Sequence, residues 1–145
     1  MAIRELEESD YGKGFLGILS QLTTLGEVPE DVFVERFREL RGSPDYRVLV
    51  AEEPERGRVV GAATLFVERK FIHACGKVGH VEDVVVDVGC RGHGVGQRLV
   101  AALLEAAREA GCYKAILDCA EQNQGFYEKC GMVRKEVQMV KYFDR

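Results

Sequence analysis

The glycine-rich segment at residues 89–96 is the part of the sequence whose composition indicates chemistry most directly. It follows an apolar run at residues 84–86 and precedes a long run of apolar residues at helical spacing. Glycines let the backbone turn tightly and let a ligand approach its N–H groups. The first N–H groups of a helix have no internal partner and carry the positive end of the helix dipole. The segment therefore predicts a binding site for a phosphate-bearing ligand.

Three phosphate-binding patterns can be compared with this segment. A P-loop requires Lys after its last glycine, whereas Gly96 is followed by Gln97. The dinucleotide pattern Gly-x-Gly-x-x-Gly begins at Gly92 and Gly94 but has Gln97 at its third glycine position. The pattern Arg/Gln-x-x-Gly-x-Gly/Ala is matched in full by residues 91–96. Between a Val-rich strand and a long helix, this match resembles the acetyl-CoA loop of the GCN5-related N-acetyltransferase (GNAT) superfamily.

The spacing of apolar residues predicts the elements that position this loop. We expect strands 46–51 and 59–67 to form a hairpin. Runs of strands come first and then alternate with helices, which predicts an α/β fold with a mixed central sheet and helices on both faces. The predicted strands are 2–6, 46–51, 59–67, 81–86, 113–119 (buried) and 133–143, and the predicted helices start at Ser9 or Asp10 (to about Thr24), at 28–31 (to Gly42), at Val95 (to Gly111) and at Gln122 (to Lys129).

Length, composition and charge limit the classes of protein to consider. The chain has 145 residues, 46% hydrophobic and 30% charged, so we expect one globular domain over residues 1–145. A net charge of −4 argues against a general nucleic-acid-binding protein. No apolar run approaches the roughly 18 residues of a membrane span. The charged first residues contain no apolar signal region, which predicts a cytoplasmic protein with its five cysteines reduced.

Further stretches are similar to one group within the superfamily, the glucosamine 6-phosphate N-acetyltransferases. The resemblance covers about residues 3–142 and implies direct attack of a sugar amine on acetyl-CoA, with no acyl-enzyme. It also implies a homodimer with its active site near the interface, acting on the route to UDP-N-acetylglucosamine. The stretches that carry it are residues 21–23, 69–73, 80–86, 112–119 and 123–131.

The same resemblance implies an acetyl-CoA site in which the loop amides hold the pyrophosphate and the preceding strand pairs with the pantetheine arm. Tyr127 would donate a hydrogen bond to the leaving thiolate, although core packing also explains it. Asn123 would contact CoA, although an Asn near a helix start is also a common cap. The implied acetyl-CoA residues are Val84, Val85, Val86, Arg91, Gly92, His93, Gly94, Val95, Gly96, Gln97, Asn123 and Tyr127.

Catalysis and acceptor binding are likewise assigned through the resemblance. The backbone N–H of Val84 would stabilise the developing oxyanion, and one of the pair Glu82 and Asp83 would orient the amine or accept its proton through water. Because Glu82 and Asp83 are adjacent, both reach one pocket only if their strand is bulged. Surface exposure is the alternative explanation for most of the charged candidates. Catalytic roles fall to Tyr127, Asp118, Glu82 and Val84, and acceptor binding to Thr23, Arg69, Lys70, Phe71, Glu82, Asp83, Asp118 and Lys141.

Two other groups of residues could suggest a zinc site or a cysteine nucleophile, but the sequence supports neither. The spacing of a structural zinc site is not matched by His73, Cys75, His80 and Cys90, so we expect no metal. Cys119 ends an apolar strand and is better explained as a buried residue than as a nucleophile. Two alternatives to sugar acetylation stay open: transfer to another amine, such as a polyamine, and a CoA-binding domain without catalysis.

Overall fold

A five-stranded mixed sheet forms the centre of the computed structural model, which describes residues 1–145. The strands lie in the order β1-β2-β3-β4-β5. The elements are β1 (Ala2–Glu5), α1 (Phe15–Leu19), α2 (Glu30–Arg41), β2 (Tyr46–Glu52), β3 (Val59–Arg69), the short α3 (Ile72–Cys75), β4 (Lys77–Val86), α4 (Val95–Glu109), β5 (Cys112–Ile116) and α5 (Gln124–Lys129), with 3₁₀ turns at Glu8–Lys13, Val88–Cys90 and Glu121–Asn123.

The strand pairing follows the connections along the chain. β1 to β4 pair antiparallel with their neighbours, and β2 and β3 form the predicted hairpin. β5 pairs parallel with β4, and α4 supplies the crossover that a parallel pair requires. The predicted mixed α/β sheet is confirmed.

Helices cover both faces of this sheet, as predicted. On one face, Val95, Leu99 and Leu103 of α4 are buried against the strands, at the helical spacing seen in the sequence. On the other face, Phe15 and Ile18 of α1 pack with Phe33 of α2. The second helix begins after Pro29 and ends at Gly42, as expected. α4 is therefore held rigidly, with its N-terminus at the carboxyl end of β4.

The prediction of one helix from Ser9 or Asp10 to Thr24 is wrong. The segment is instead a 3₁₀ turn, Glu8–Lys13, followed by α1, which ends at Leu19. Gly14 separates the two with a φ of 89°, a left-handed conformation that glycine adopts without strain. Asp10 is fully buried and accepts two hydrogen bonds from Arg4, at 2.9 and 2.7 Å, which fix it in the turn. The chain after α1 is thereby free to approach the carboxyl end of β4.

The prediction of a last strand at residues 133–143 is also wrong for the single chain. Residues 132–145 pair with no strand, and they include six exposed large apolar side chains: Val133, Val137, Met139, Val140, Tyr142 and Phe143. The strand predicted at 113–119 is shorter, Cys112–Ile116, and it is not buried. Cys119, which was expected to be buried at the end of this strand, lies beyond the strand and is exposed. It is an edge strand whose Tyr113 and Ile116 are about 40% exposed because nothing in the chain covers that edge.

Candidate active site

A β-bulge in β4 shapes one end of the site. Ala62 pairs with Val85 and Thr64 pairs with Glu82, so two residues of β4 lie opposite one residue of β3. Asp83 lies in the bulge and has a φ of 50°, a left-handed conformation that is uncommon outside glycine. A bulge interrupts the ladder of hydrogen bonds and redirects the side chains beside it. The condition under which Glu82 and Asp83 can both reach one pocket is thus met.

Three carboxylates lie near one another at this bulge. Partial burial raises the pKa of Glu82, and the negative charges of Asp118 and Asp83 raise it further. Asp118 follows the end of β5, which pairs parallel with β4, and this places it beside the bulge. A carboxyl group with a raised pKa is suited to accept a proton near neutral pH. The arrangement can therefore bind an ammonium group and take a proton from it.

A cavity of about 590 Å³ begins next to the carboxyl end of β4. Its volume lies within the range of about 300–1,000 Å³ that is usual for small-molecule sites. The glycine-rich loop forms one wall and α5 forms another. The residues that line it are Gln21, Leu22, Val84, Val85, Val86, Cys90, Arg91, Gly92, Gly94, Val95, Gly96, Gln97, Asn123, Phe126, Tyr127 and Lys129.

The loop presents free hydrogen-bond donors to this cavity. Gly92 and Gly94 have φ values of 86° and 78°, conformations that need glycine. The N–H groups of residues 91–94 donate no hydrogen bond within the chain. Those of residues 95–97 are in the first turn of α4, where a helix supplies no acceptor. Consecutive free N–H groups at a helix N-terminus suit a diphosphate.

The close packing of α5 against α4 places Tyr127 on the cavity wall. A Cβ on Gly96 would lie 3.0 Å from Phe126 Cζ, so Phe126 occupies the space that a side chain at position 96 would need. The Phe126 and Tyr127 rings are nearly perpendicular, with centroids 4.9 Å apart. Burial raises the pKa of Tyr127 to about 12, and the nearby Cys119, Cys130 and Asp118 raise it in the same direction. The phenol therefore stays protonated at neutral pH and can donate a hydrogen bond.

Of the predicted acetyl-CoA residues, His93 alone does not line the cavity; it is exposed. Five further residues line the cavity and were not assigned there from the sequence: Gln21, Leu22, Cys90, Phe126 and Lys129. Gln21 and Leu22 belong to a stretch that carried the family resemblance, which was the available signal for them. Lys129 makes no ion pair, so its ammonium group is free to meet an anionic ligand.

Most of the predicted acceptor-phosphate residues lie far from this cavity within one chain. Arg69 pairs with Asp45 at 2.9 Å and Lys70 with Glu68 at 3.3 Å. Phe71 is 92% exposed beside the turn α3, whose residues 73–75 are all left-handed. Arg69 pairs with Lys77 in the sheet, and Lys77 lies seven residues before Val84 on β4. This separation corresponds to about 20 Å along a strand, so Arg69 is far from the cavity.

Thr23 and Lys141 complete the predicted acceptor set. Thr23 is exposed and follows Gln21 and Leu22, which line the cavity, but it does not line the cavity itself. Lys141 is exposed in the unpaired C-terminal segment. The single chain thus brings together the predicted cosubstrate residues and the carboxylates, but not the predicted cations.

The model of the acetyltransferase (GNAT) family matches residues 2–132. The chain belongs to the GNAT acetyltransferase family. Among curated relatives, a rice protein named glucosamine 6-phosphate N-acetyltransferase 1 is 52% identical over 97% of this chain and 86% of its own length. The crystal structure of glucosamine-6-phosphate N-acetyltransferase from Arabidopsis thaliana is 46% identical, covers 99% of this chain and 98% of its own, and superimposes with a TM-score of 0.97.

The GNAT fold extends to more distant proteins. An aminoglycoside N-acetyltransferase in complex with CoA is 21% identical, with a TM-score of 0.77 over 99% of this chain and 94% of its own. GNAT acetyltransferases use acetyl-CoA, and the cavity of this GNAT chain contains the loop that carries the family pattern. No helix of the chain combines the length and apolar character needed to cross a membrane.

Proposed function

We propose that this GNAT enzyme transfers the acetyl group of acetyl-CoA to the 2-amino group of glucosamine 6-phosphate, a step towards UDP-N-acetylglucosamine. One observation carries the proposal: the cavity that contains the GNAT loop begins at a bulge where Glu82, Asp83 and Asp118 gather. High identity to proteins named for this acceptor, over nearly the whole chain, supports the choice of sugar.

The residues present suit acetyl-CoA as the donor. Free N–H groups at residues 91–97 and the positive end of α4 would bind the diphosphate. The cations Arg91 and Lys129 line the same cavity and would add charge-assisted contacts to phosphate. The backbone from Val84 to Val86 lines the inner part, where the pantetheine arm would lie.

The reaction needs a free amine, an oxyanion donor and a donor for the leaving group. The ammonium form of the sugar amine loses a proton to Glu82, directly or through water, because the raised pKa of Glu82 makes it a better acceptor than an ordinary carboxylate. The neutral amine attacks the thioester carbonyl carbon, so a C–N bond forms and the C–S bond breaks. The nitrogen then loses one of its two protons to become the amide, and that proton goes to the departing thiolate, which leaves as the thiol of CoA. The Val84 N–H stabilises the oxygen that gains charge, and the Tyr127 hydroxyl donates to the sulfur that leaves with the electron pair.

We further propose that the enzyme works as a homodimer. The unpaired segment 132–145 has six exposed large apolar residues, and the edge of β5 is open, so each chain offers both an unpaired segment and an uncovered edge. Residues 133–145 of this segment also lie beyond the residues that the family model matches. A second copy that covers these surfaces could bring Lys70 or Lys141 to the sugar phosphate, since neither reaches the cavity within one chain.

The experiment is a measurement of CoA release with a thiol reagent, comparing glucosamine 6-phosphate, glucosamine and a polyamine as acceptors. We expect a strong preference for the phosphorylated sugar. Equal rates with glucosamine would show that no cation is needed to bind the sugar phosphate. A preference for the polyamine would show that the acceptor is a polyamine and not glucosamine 6-phosphate. The cytoplasmic location expected from the sequence is a separate prediction, which cell fractionation tests.

A further inference from the structure

The side chain of Gln21 joins the segment after α1 to the start of the acetyl-CoA loop. Its Nε2 donates to Asp87 Oδ1 at 2.7 Å, and its Oε1 accepts from the N–H of Val88 at 2.9 Å. Both ends of the amide are thus used, and the opposite orientation would place oxygen against a carboxylate and nitrogen against an N–H. The interaction spans 66 residues of sequence.

Asp87 passes this contact on to the loop. Its second oxygen, Oδ2, accepts from the N–H of Gly89 at 3.2 Å, and its backbone oxygen accepts from the N–H of Cys90 at 2.8 Å. Its own N–H donates to Val60 O at 2.7 Å, which fixes it to the sheet. Asp87 therefore holds the 3₁₀ turn Val88–Cys90, which leads directly into the free N–H groups of residues 91–94.

Packing contributes little to the conformation of this loop. Residues 91–94 are exposed, and nothing lies within 4 Å of the Cβ positions of Gly92 and Gly94. The conformation of the loop therefore depends on polar contacts where the loop begins. Besides the contacts of Gln21 and Asp87, these include a hydrogen bond from Arg91 Nε to Val86 O at 3.0 Å. Because Gln21 and its neighbour Leu22 both line the cavity, the same contact also keeps this wall against the loop.

We propose that Gln21 is a positioning residue that, through Asp87, holds the loop in the conformation that binds the diphosphate of acetyl-CoA. The inference deepens the proposed function and rests on it for the identity of the ligand. Gln21 does not touch the reacting atoms. It lowers the cost of ordering the loop when the ligand binds, and preorganised donors bind more tightly than donors that must be ordered.

Exchange of the two polar groups tests this proposal. In Gln21→Glu the introduced carboxylate faces the Asp87 carboxylate, and in Asp87→Asn one bond is lost whichever way the introduced amide turns. In the double variant, the carboxylate at 21 accepts from the N–H of Val88 and from the amide at 87, whose oxygen still accepts from Gly89. All three bonds are restored with the net charge of the original protein.

The measurement is the Kd of CoA by calorimetry for the four proteins, together with kcat and KM for acetyl-CoA and for acetylpantetheine, which lacks the diphosphate. We expect each single variant to weaken CoA binding about tenfold, the size of one charge-assisted hydrogen bond, and the double variant to return within about threefold of the original. KM for acetyl-CoA should follow Kd while kcat stays, and kcat/KM for acetylpantetheine should not change.

Three results would overturn the inference. Additive losses in the double variant would show that the two groups do not act together. Opposite effects of the single variants on the Kd of CoA would show that only the charge near the anionic ligand matters, because Gln21→Glu adds a negative charge and Asp87→Asn removes one. Equal losses with acetylpantetheine would show general damage to the fold. Failure of the proposed function looks different: CoA binds with the expected pattern, but no acceptor is acetylated.

Discussion

Replacement of Tyr127 by Phe removes one hydroxyl from the cavity wall and nothing else. No hydrogen bond within the chain uses that hydroxyl, and no polar side-chain atom is buried without a partner, so it faces the cavity. We therefore expect the variant to fold with a Tm within about 2 °C of the original, because no native hydrogen bond is lost. The Kd of CoA should change by less than about threefold, since the diphosphate site is untouched.

The pKa of Tyr127 sets the size of the effect on catalysis. At about 12 it lies above the value of about 8.5 for an alkyl thiol, so full proton transfer from the phenol to the thiolate is unfavourable. The hydroxyl then acts as a hydrogen-bond donor to a developing charge, which contributes about 1.5–3 kcal/mol. At about 1.4 kcal/mol per factor of ten, kcat should fall by about 10- to 150-fold.

Steady-state release of CoA at saturating acetyl-CoA and acceptor measures kcat, and calorimetry measures Kd. Between pH 8 and 10, the kcat of the original enzyme and the kcat of the variant should depend on pH in the same way. The reason is that the phenol of Tyr127 stays protonated over this range. An unchanged kcat would refute the role of Tyr127 as thiolate donor. A loss of CoA binding equal to the loss of kcat would instead assign it to binding.

Three more predictions concern the loop, the bulge and the C-terminal segment. Gly94→Ala should raise the Kd of CoA more than tenfold. Gly57→Ala is the matched control, because Gly57 has a similar φ of 63° and equally open surroundings. Both variants should lose about 1 kcal/mol of stability, but Gly57→Ala should leave the Kd unchanged. Glu82→Gln should lower kcat at least tenfold. The same change should raise the Tm at pH 7.5 and leave it unchanged at pH 4, because the raised pKa of Glu82 means that its ionisation above about pH 4.5 destabilises the fold; an equal gain at both pH values would contradict the shift. Met139→Asp should convert a dimer to a monomer in sedimentation velocity, since Met139 is 89% exposed in the single chain and a charge there costs a monomer nothing.

Local patterns predicted the parts of the fold that depend on local physics. The loop was recognisable because its glycines and the helix after it are adjacent in sequence, and the two-faced sheet followed from apolar spacing. The break at Gly14 was missed because helical spacing continues on both sides of it. The bulge at Asp83 could be stated only as a condition, since it depends on register with β3.

The features of the fold that were not predicted from the sequence depend on contacts between segments that are distant along the chain. Gln21 reaches Asp87 across the fold, and no spacing rule connects them. The segment 133–143 has the alternation of a strand but finds no partner within its own chain. Sequence periodicity cannot specify whether a strand finds its partner in the same chain or in a second molecule.

A competition between two acceptors for one labelled donor tests whether this enzyme acetylates glucosamine 6-phosphate in preference to the unphosphorylated sugar. The enzyme is given acetyl-CoA with a ¹³C-labelled acetyl group and equal amounts of glucosamine 6-phosphate and glucosamine, and the products are followed by NMR. We expect the label to appear as an N-acetyl group on the phosphorylated sugar at least about 100-fold faster than on glucosamine. Equal labelling of both sugars, or consumption of acetyl-CoA with the label on neither, would contradict this expectation.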